Sequence, residues 1–127
     1  QIDPEKIVRF PEEAHIEGGD VMPYKDYILV GVYRGPDYSD YIIARTNMLA
    51  IDYLQKLFPD KKVVSFNLRK SNTNPYENAL HLDCCFQPVG EKYAILHNAI
   101  QPTGKFAVLP YLNTMRNISV MCSNISA

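Results

Sequence analysis

Nowhere do these 127 residues string together the ~18–20 apolar residues that a membrane-spanning helix requires. The longest apolar stretches, such as Tyr27-Ile28-Leu29-Val30, have the length of a strand, so no membrane is expected as a partner. An excess of one charge is missing too. Lys and Arg total 13 against 14 Asp and Glu, and the two signs are mixed along the chain. A nucleic-acid binder carries a basic stripe or patch, so nucleic acid is not an expected partner either. Cysteine is scarce and odd in number: Cys84, Cys85 and Cys122. They make neither a disulfide framework nor a paired zinc-ligand spacing, which points to a reducing, cytoplasmic setting. The Asn-Ile-Ser triplets at Asn117 and Asn124 then carry no meaning as glycosylation acceptors. The chain begins with Gln1 rather than Met, so a leader segment would leave no trace here. What remains is a composition of 46% hydrophobic and 21% charged residues, enough for one compact domain and too little for two.

Residues 1–15 are polar and rich in Pro and Glu, which reads as a loop. Ile16–Met22 reads as a short strand containing two glycines, Pro23–Asp26 as a turn, and Tyr27–Val32 as a second strand of β-branched and aromatic residues. Gly35-Pro36-Asp37 interrupts the pattern. A helix is predicted over Ala44–Phe58, with Leu49, Ala50, Tyr53, Leu54 and Leu57 on one face and Pro59 ending it. Lys61–Leu68 alternates as a third strand. After a loop of Asn, Ser and Pro at Ser71–Asn78, Ala79–Phe86 reads as a strand, Pro88–Glu91 as a turn and Lys92–Leu96 as another strand. The two halves run in parallel: Asp20 precedes a turn and Tyr27-Ile28-Leu29-Val30, and Asp83 precedes a turn and Tyr93-Ala94-Ile95-Leu96. A repeat of this kind implies an α/β fold assembled from copies of one supersecondary unit. The units cover about 16–70 and 79–127 within a single partial domain, 1–127. Past Ile100 a strand at Lys105–Leu109 and a helix at Tyr111–Ser123 are expected, and the ending suggests truncation.

Two clusters are equipped for chemistry: Glu17-Gly18-Gly19-Asp20 and His81-Leu82-Asp83. Side chains at i and i+2 of a strand share a face, so His81 and Asp83 are expected to project together. Glu17 and Asp20, three apart, share a face only if a bulge at Gly18-Gly19 inserts a residue. Three carboxylates and an imidazole around one hollow form a negative pocket. A planar cation bearing several N–H donors, such as a guanidinium, suits it through paired charge-assisted hydrogen bonds. The histidine is placed to carry protons to a departing amine. Other readings stay open. Glu-Gly-Gly-Asp also makes an ordinary turn, His-x-Asp also makes a structural hydrogen bond, and His with carboxylates suits several metal ions. Cys84 and Cys85 read as small buried apolar residues, and His15 and His97 as structural or surface residues.

Taken in order, these motifs resemble those of the guanidine-modifying superfamily of amidinotransferases, arginine deiminases and dimethylarginine hydrolases, the penteins. Ile16-Glu17-Gly18-Gly19-Asp20-Val21 resembles the Glu-Gly-Gly-Asp strand of the deiminases. Ala44-Arg45-Thr46-Asn47 is similar to the Arg-Thr-Asn segment of the hydrolases, and Ala79–Phe86 to the His-Leu-Asp strand of the deiminases and amidinotransferases. The resemblance spans about Ile16 to Leu96 and implies an α/β propeller of five strand-strand-helix-strand units, of which this chain holds about two. It further implies that Glu17 and Asp20 lie in the guanidinium pocket, that Asp83 anchors the guanidinium, and that His81 is the general acid and base. Arg45 would pair with the carboxylate of an arginine-like substrate, or else be a surface arginine. The family's chemistry is covalent, through a cysteine thiolate near the C-terminus, and needs no cofactor and no metal. None of Cys84, Cys85 and Cys122 has that setting, so the chain alone is expected to be inactive. Asp83 leans toward amidino transfer or deimination, since the hydrolases carry lysine there. A non-catalytic binding member of the same fold and an unrelated α/β domain are the alternatives. Two units cut from a ring would leave packing faces bare, so self-association is expected.

Overall fold

The strongest strand signal in the sequence, Tyr27–Val32, becomes the central strand of the molecule. A computed structural model describes residues 2–89 and 93–96. In it β1 (Val21–Tyr24) pairs antiparallel with β2 (Tyr27–Val32). The connecting turn is Lys25-Asp26, where Lys25 adopts a left-handed φ of 51°. From β2 the chain crosses over through α1 (Met48–Leu57) to β3 (Lys62–Asn67), which lies parallel to β2 with Tyr27 opposite Lys62 and Val32 opposite Asn67. This strand, strand, helix, strand unit has the strand order β1-β2-β3. A second antiparallel pair follows, β4 (Phe86–Val89) with β5 (Tyr93–Leu96).

Strand β2 is apolar throughout because it is covered on both faces. Ile28, Val30 and Val32 turn toward Leu54 of α1, with Phe10, Ile16, Val21, Ile51 and Val63 closing that layer. Leu29 turns the other way, into a cluster with Leu68, Ala79, Leu82, Cys85 and Phe86. Leu29, Leu68 and Leu82 are almost entirely buried. Each such side chain removed from water is worth about 1.5–3 kcal/mol before conformational entropy is counted. The segment carrying His81 is therefore clamped to the sheet face opposite the helix.

Several sequence expectations are corrected. The helix begins at Met48, not Ala44, because Asn47 caps it: its Oδ1 accepts the Ala50 N–H. The buried face is Ala50 and Leu54 together with Ile51, whereas Leu49 and Leu57 are exposed. The first strand starts at Val21 instead of Ile16, because Gly18–Asp20 forms a 3-10 helical turn. The chain thus bends at the glycines, but by a turn and not by a bulge in a ladder. Residues 79–85 are a bend and a turn, not a strand, and β4 begins only at Phe86. Their N–H groups bond to Arg69 O, to the Asp20 carboxylate and to Gly19 O, which leaves no ladder to join. The expectations at Lys105–Leu109 and Tyr111–Ser123, with His97, Asn117, Cys122 and Asn124, lie outside the described residues, as does the end of the second unit.

Candidate functional site

Asp20 is the point on which the site is built. Its residue is 1% exposed, and a carboxylate so deep must be fully hydrogen-bonded. Oδ2 accepts the Thr46 hydroxyl at 2.6 Å, and Oδ1 accepts the Leu82 N–H at 3.1 Å. Thr46, equally buried, accepts the Glu17 N–H at 3.2 Å through the same hydroxyl oxygen. One aspartate thus ties together the turn after Glu17, the residue two before α1, and the segment around His81. The room for it comes from Gly31. A Cβ there would stand 2.7 Å from Leu68 Cδ1 and 2.8 Å from Asp20 Oδ1.

The imidazole of His81 lies over Gly19, where a Cβ would meet the ring at 2.9 Å. Its Nε2 is 3.2 Å from Glu17 Oε2. Its Nδ1 is buried, makes no hydrogen bond among the described residues and lies 3.6 Å from Asp20 Oδ2. That distance is too long for a hydrogen bond, so the Asp20 contact is electrostatic and the Glu17 contact is the directional one. Glu17 uses its second oxygen, Oε1, to hold Arg45 Nη1 at 3.0 Å, while Arg45 Nε donates to Ile42 O. Arg45 and Glu17 are about half exposed, so their pair alone adds little stability. The outcome is an open row, Arg45–Glu17–His81, over a buried floor of Asp20 and Thr46.

Of the residues singled out from sequence, Glu17, Asp20, Arg45 and His81 come together, although His81 is more than 60 residues from Asp20 in the chain. They do so without the expected shared strand face, since His81 and Asp83 sit on a bend and a turn. Asp83 is exposed; its N–H donates to Gly19 O, and its carboxylate lies 3.5 Å from Cys84 Sγ. His15, read as a structural or surface residue, is exposed and meets the Tyr38 hydroxyl through Nδ1 at 3.2 Å. Sequence reasoning passed over Thr46, Tyr38 and Lys70. Burial, and then the Asp20 carboxylate, hold the Tyr38 phenol above its usual range, with Arg45 opposing, which sets Tyr38 beside the acidic row. Thr46 had one available signal, its place between Arg45 and Asn47 in a quoted motif. Tyr38 had none.

Cys85 is buried as expected, and burial pushes its thiol up to about 12. Cys84 is exposed, contrary to expectation, and partial desolvation still moves its thiol upward. Neither is a thiolate at neutral pH, and only the thiolate attacks. Among the described residues no three His, Cys, Asp or Glu side chains form a set able to hold a metal ion. Both Asp20 oxygens are already engaged by Thr46 and Leu82. No helix among the described residues is long and apolar enough to cross a membrane.

This backbone is found again in known enzymes. It aligns with DDAH from Pseudomonas aeruginosa, a cysteine-to-serine variant in complex with citrulline, at a TM-score of 0.58 and 20% identity, over 91% of this chain and 36% of that one. The chain's mixed α/β fold is similar to that of pentein enzymes. A dimethylarginine dimethylaminohydrolase carrying an adduct with 4-chloro-2-hydroxymethylpyridine gives a TM-score of 0.55 at 20% identity, over 94% of this chain and 39% of that one. SxtG, an amidinotransferase from Microseira wollei in the saxitoxin biosynthetic pathway, gives 0.56 at 19% identity, over 92% and 29%. In sequence, the uncharacterized protein YkgA of Bacillus subtilis (strain 168) is 32% identical over 91 residues, 71% of this chain and 26% of YkgA. The chain thus spans about a quarter of that relative and between 29% and 39% of these pentein structures. No family model matches the sequence.

Proposed function

We propose that this chain is the central part of an enzyme acting on the guanidinium group of arginine or a related compound, by amidino transfer or deimination. The observation that carries the reading is the Glu17–His81 contact of 3.2 Å above the buried Asp20. A carboxylate and an imidazole from distant parts of the chain meet on one open row above a second, buried carboxylate, and the fold is similar to that of enzymes of guanidino compounds. In this reading Glu17 receives the N–H groups of the planar cation, and Asp83, whose side chain is exposed, turns to anchor it as well. Asp20 serves the pocket from beneath: its oxygens are engaged, so it fixes His81 and Thr46 in place. Arg45 leaves Glu17 to meet the substrate's carboxylate as the guanidinium takes over the Glu17 oxygen.

The chemistry follows the covalent scheme. A thiolate from outside the described residues forms a C–S bond to the guanidinium carbon. The tetrahedral adduct then breaks a C–N bond, and the departing amine takes its proton from His81 Nε2. His81 next draws a proton from the incoming water or acceptor amine as that nucleophile's oxygen or nitrogen bonds to the same carbon, and the C–S bond breaks to release the thiolate. The raised thiols of Cys84 and Cys85 support a nucleophile located elsewhere, and the chain by itself is inactive in this reading.

The test uses the whole protein that contains this chain. Arginine, methylated arginines, and arginine with an acceptor amine are incubated with it, and citrulline, ornithine, ammonia and methylamine are quantified. Turnover of one of these is expected, and His81→Asn should lower kcat by at least about 100-fold, as removal of a general acid and base does. Wild-type protein that neither binds nor turns over any guanidino compound would sink the proposal. The same fold serving binding without catalysis would then be the reading left.

A further inference from the structure

Lys70 is a buried cation that the proposed chemistry does not use. Its Nζ donates to Ala79 O at 2.7 Å and to Leu80 O at 2.7 Å, the two carbonyls immediately before His81. The reason is local. Residues 78–82 belong to neither helix nor strand, so their carbonyls, buried at Ala79 and partly buried at Leu80, have no ladder to bond to. One ammonium, with three donors, satisfies two of them at once. The same short stretch is tied by its N–H groups: Ala79 N–H to Arg69 O at 2.8 Å, Leu82 N–H to Asp20 Oδ1 at 3.1 Å, and Asp83 N–H to Gly19 O at 3.1 Å. Peptides on both sides of His81 are therefore held, from one side by Lys70 and from the other by the Glu17–Asp20 turn. The imidazole has little choice but to lie over Gly19 against Glu17.

We infer that Lys70 is a positioning residue for His81, acting through the Ala79 and Leu80 carbonyls to set where the imidazole stands relative to Glu17. The inference rests on the proposed role of His81. Burial works against the Lys70 charge, while the Asp20 carboxylate supports it, so the clamp draws on the same carboxylate that floors the site. Lys70→Met keeps the bulk of the side chain and leaves two carbonyls without a donor. Because a misplacement of about 1 Å costs up to about 100-fold in rate, kcat should fall about 10–100-fold. KM should stay within about threefold, since Lys70 touches none of the groups assigned to substrate.

Two readouts on the whole protein separate the possibilities: steady-state kinetics, and hydrogen exchange followed by mass spectrometry. Exchange should quicken at least tenfold in the peptide covering 79–86 and stay unchanged in the peptide covering β2. Equal acceleration in both peptides would make Lys70 a general stabiliser and overturn the inference, as would unchanged exchange at 79–86. If wild type shows no turnover, the functional reading fails on its own, while the exchange comparison still decides whether Lys70 holds the His81 segment. Should Lys70→Met not fold, Lys70→Arg takes its place. A guanidinium fork cannot put its donors where a single Nζ stands, so kcat should drop with KM kept. Kinetics and exchange identical to wild type would overturn the inference.

Discussion

Gly19 and Thr46 show how much of the site is decided by single atoms. A methyl group at residue 19 would stand 2.9 Å from Cγ and 3.1 Å from Cδ2 of the His81 ring, so the ring must shift. Gly19→Ala is expected to cost about 1–3 kcal/mol in overpacking. It should also break the His81–Glu17 contact, lowering kcat more than it raises KM. Urea denaturation and steady-state kinetics check the two parts, and an alanine variant with native kcat would show that the ring's placement over residue 19 is immaterial. Thr46→Val removes only a hydroxyl, keeping the shape. Asp20 Oδ2 and the Glu17 N–H would both be stranded in a buried place, and an unsatisfied buried polar group costs about 1–3 kcal/mol. Thr46→Ser keeps the hydroxyl and should recover most of that loss. A valine variant as stable as wild type would mean that water reaches Asp20.

At the level of elements, α1 is anchored by one amide. Asn47 Oδ1 accepts both the Ala50 and the His15 N–H groups at 3.2 Å, and Nδ2 donates to Glu13 O at 2.7 Å. Loss of a helix cap alone costs about 0.5–2 kcal/mol, so Asn47→Ala should exceed the middle of that range, while Asn47→Asp, which keeps the cap and loses the Glu13 bond, should cost less. Equal losses in thermal melts of the two variants would deny the cap its weight. The strand β2 was legible as a β-branched and aromatic run, β3 by its alternation and the hairpin turn by its position between strands, whereas the cap at Asn47 was not read and the helix was begun too early, at Ala44 and not Met48. The helix face was not, because the stripes through Leu49 and through Ile51 overlap at Ala50 and Leu54 and only the sheet beneath chooses between them. Residues 79–85 misled for a different reason. Their apolar run is strand-like, but the bonds that fix them reach back to Asp20, Gly19 and Lys70, and no local pattern announces partners more than 60 residues away. The identities of Glu17, Asp20, Arg45 and His81 could be read directly. Their geometry, and the Lys70 and Thr46 beneath them, required the fold.

For the molecule as a whole, the cluster under the site couples stability to pH through Cys85. The thiol is buried among Leu29, Leu68, Leu82 and Phe86, and its Sγ lies 3.3 Å from His81 O and 3.4 Å from Leu82 O. A proton on sulfur can be donated to these carbonyls, whereas a thiolate would be forced against them. Burial accordingly raises the thiol from 9.0 to about 12, with the neighbouring Cys84 adding to the rise and Lys70 opposing it. The folded pKa exceeds the unfolded one, so between these values the unfolded chain holds fewer protons than the folded one. This part of the stability is complete below pH 9, declines as pH rises, and is gone once the folded thiol ionises near pH 12. By linkage, wild type should lose about 1–1.5 kcal/mol to this one group between pH 7 and pH 10. Cys85→Ala removes the proton and a little core volume together, so it should be less stable than wild type at pH 7, with the gap narrowing by about 1 kcal/mol at pH 10. Urea midpoints of both proteins at the two pH values measure the change in the gap directly, with every other titrating group common to the pair. A gap that stays constant would mean that the Cys85 thiol ionises as readily in the folded protein as in the unfolded chain, and that the layer beneath His81 is open to water.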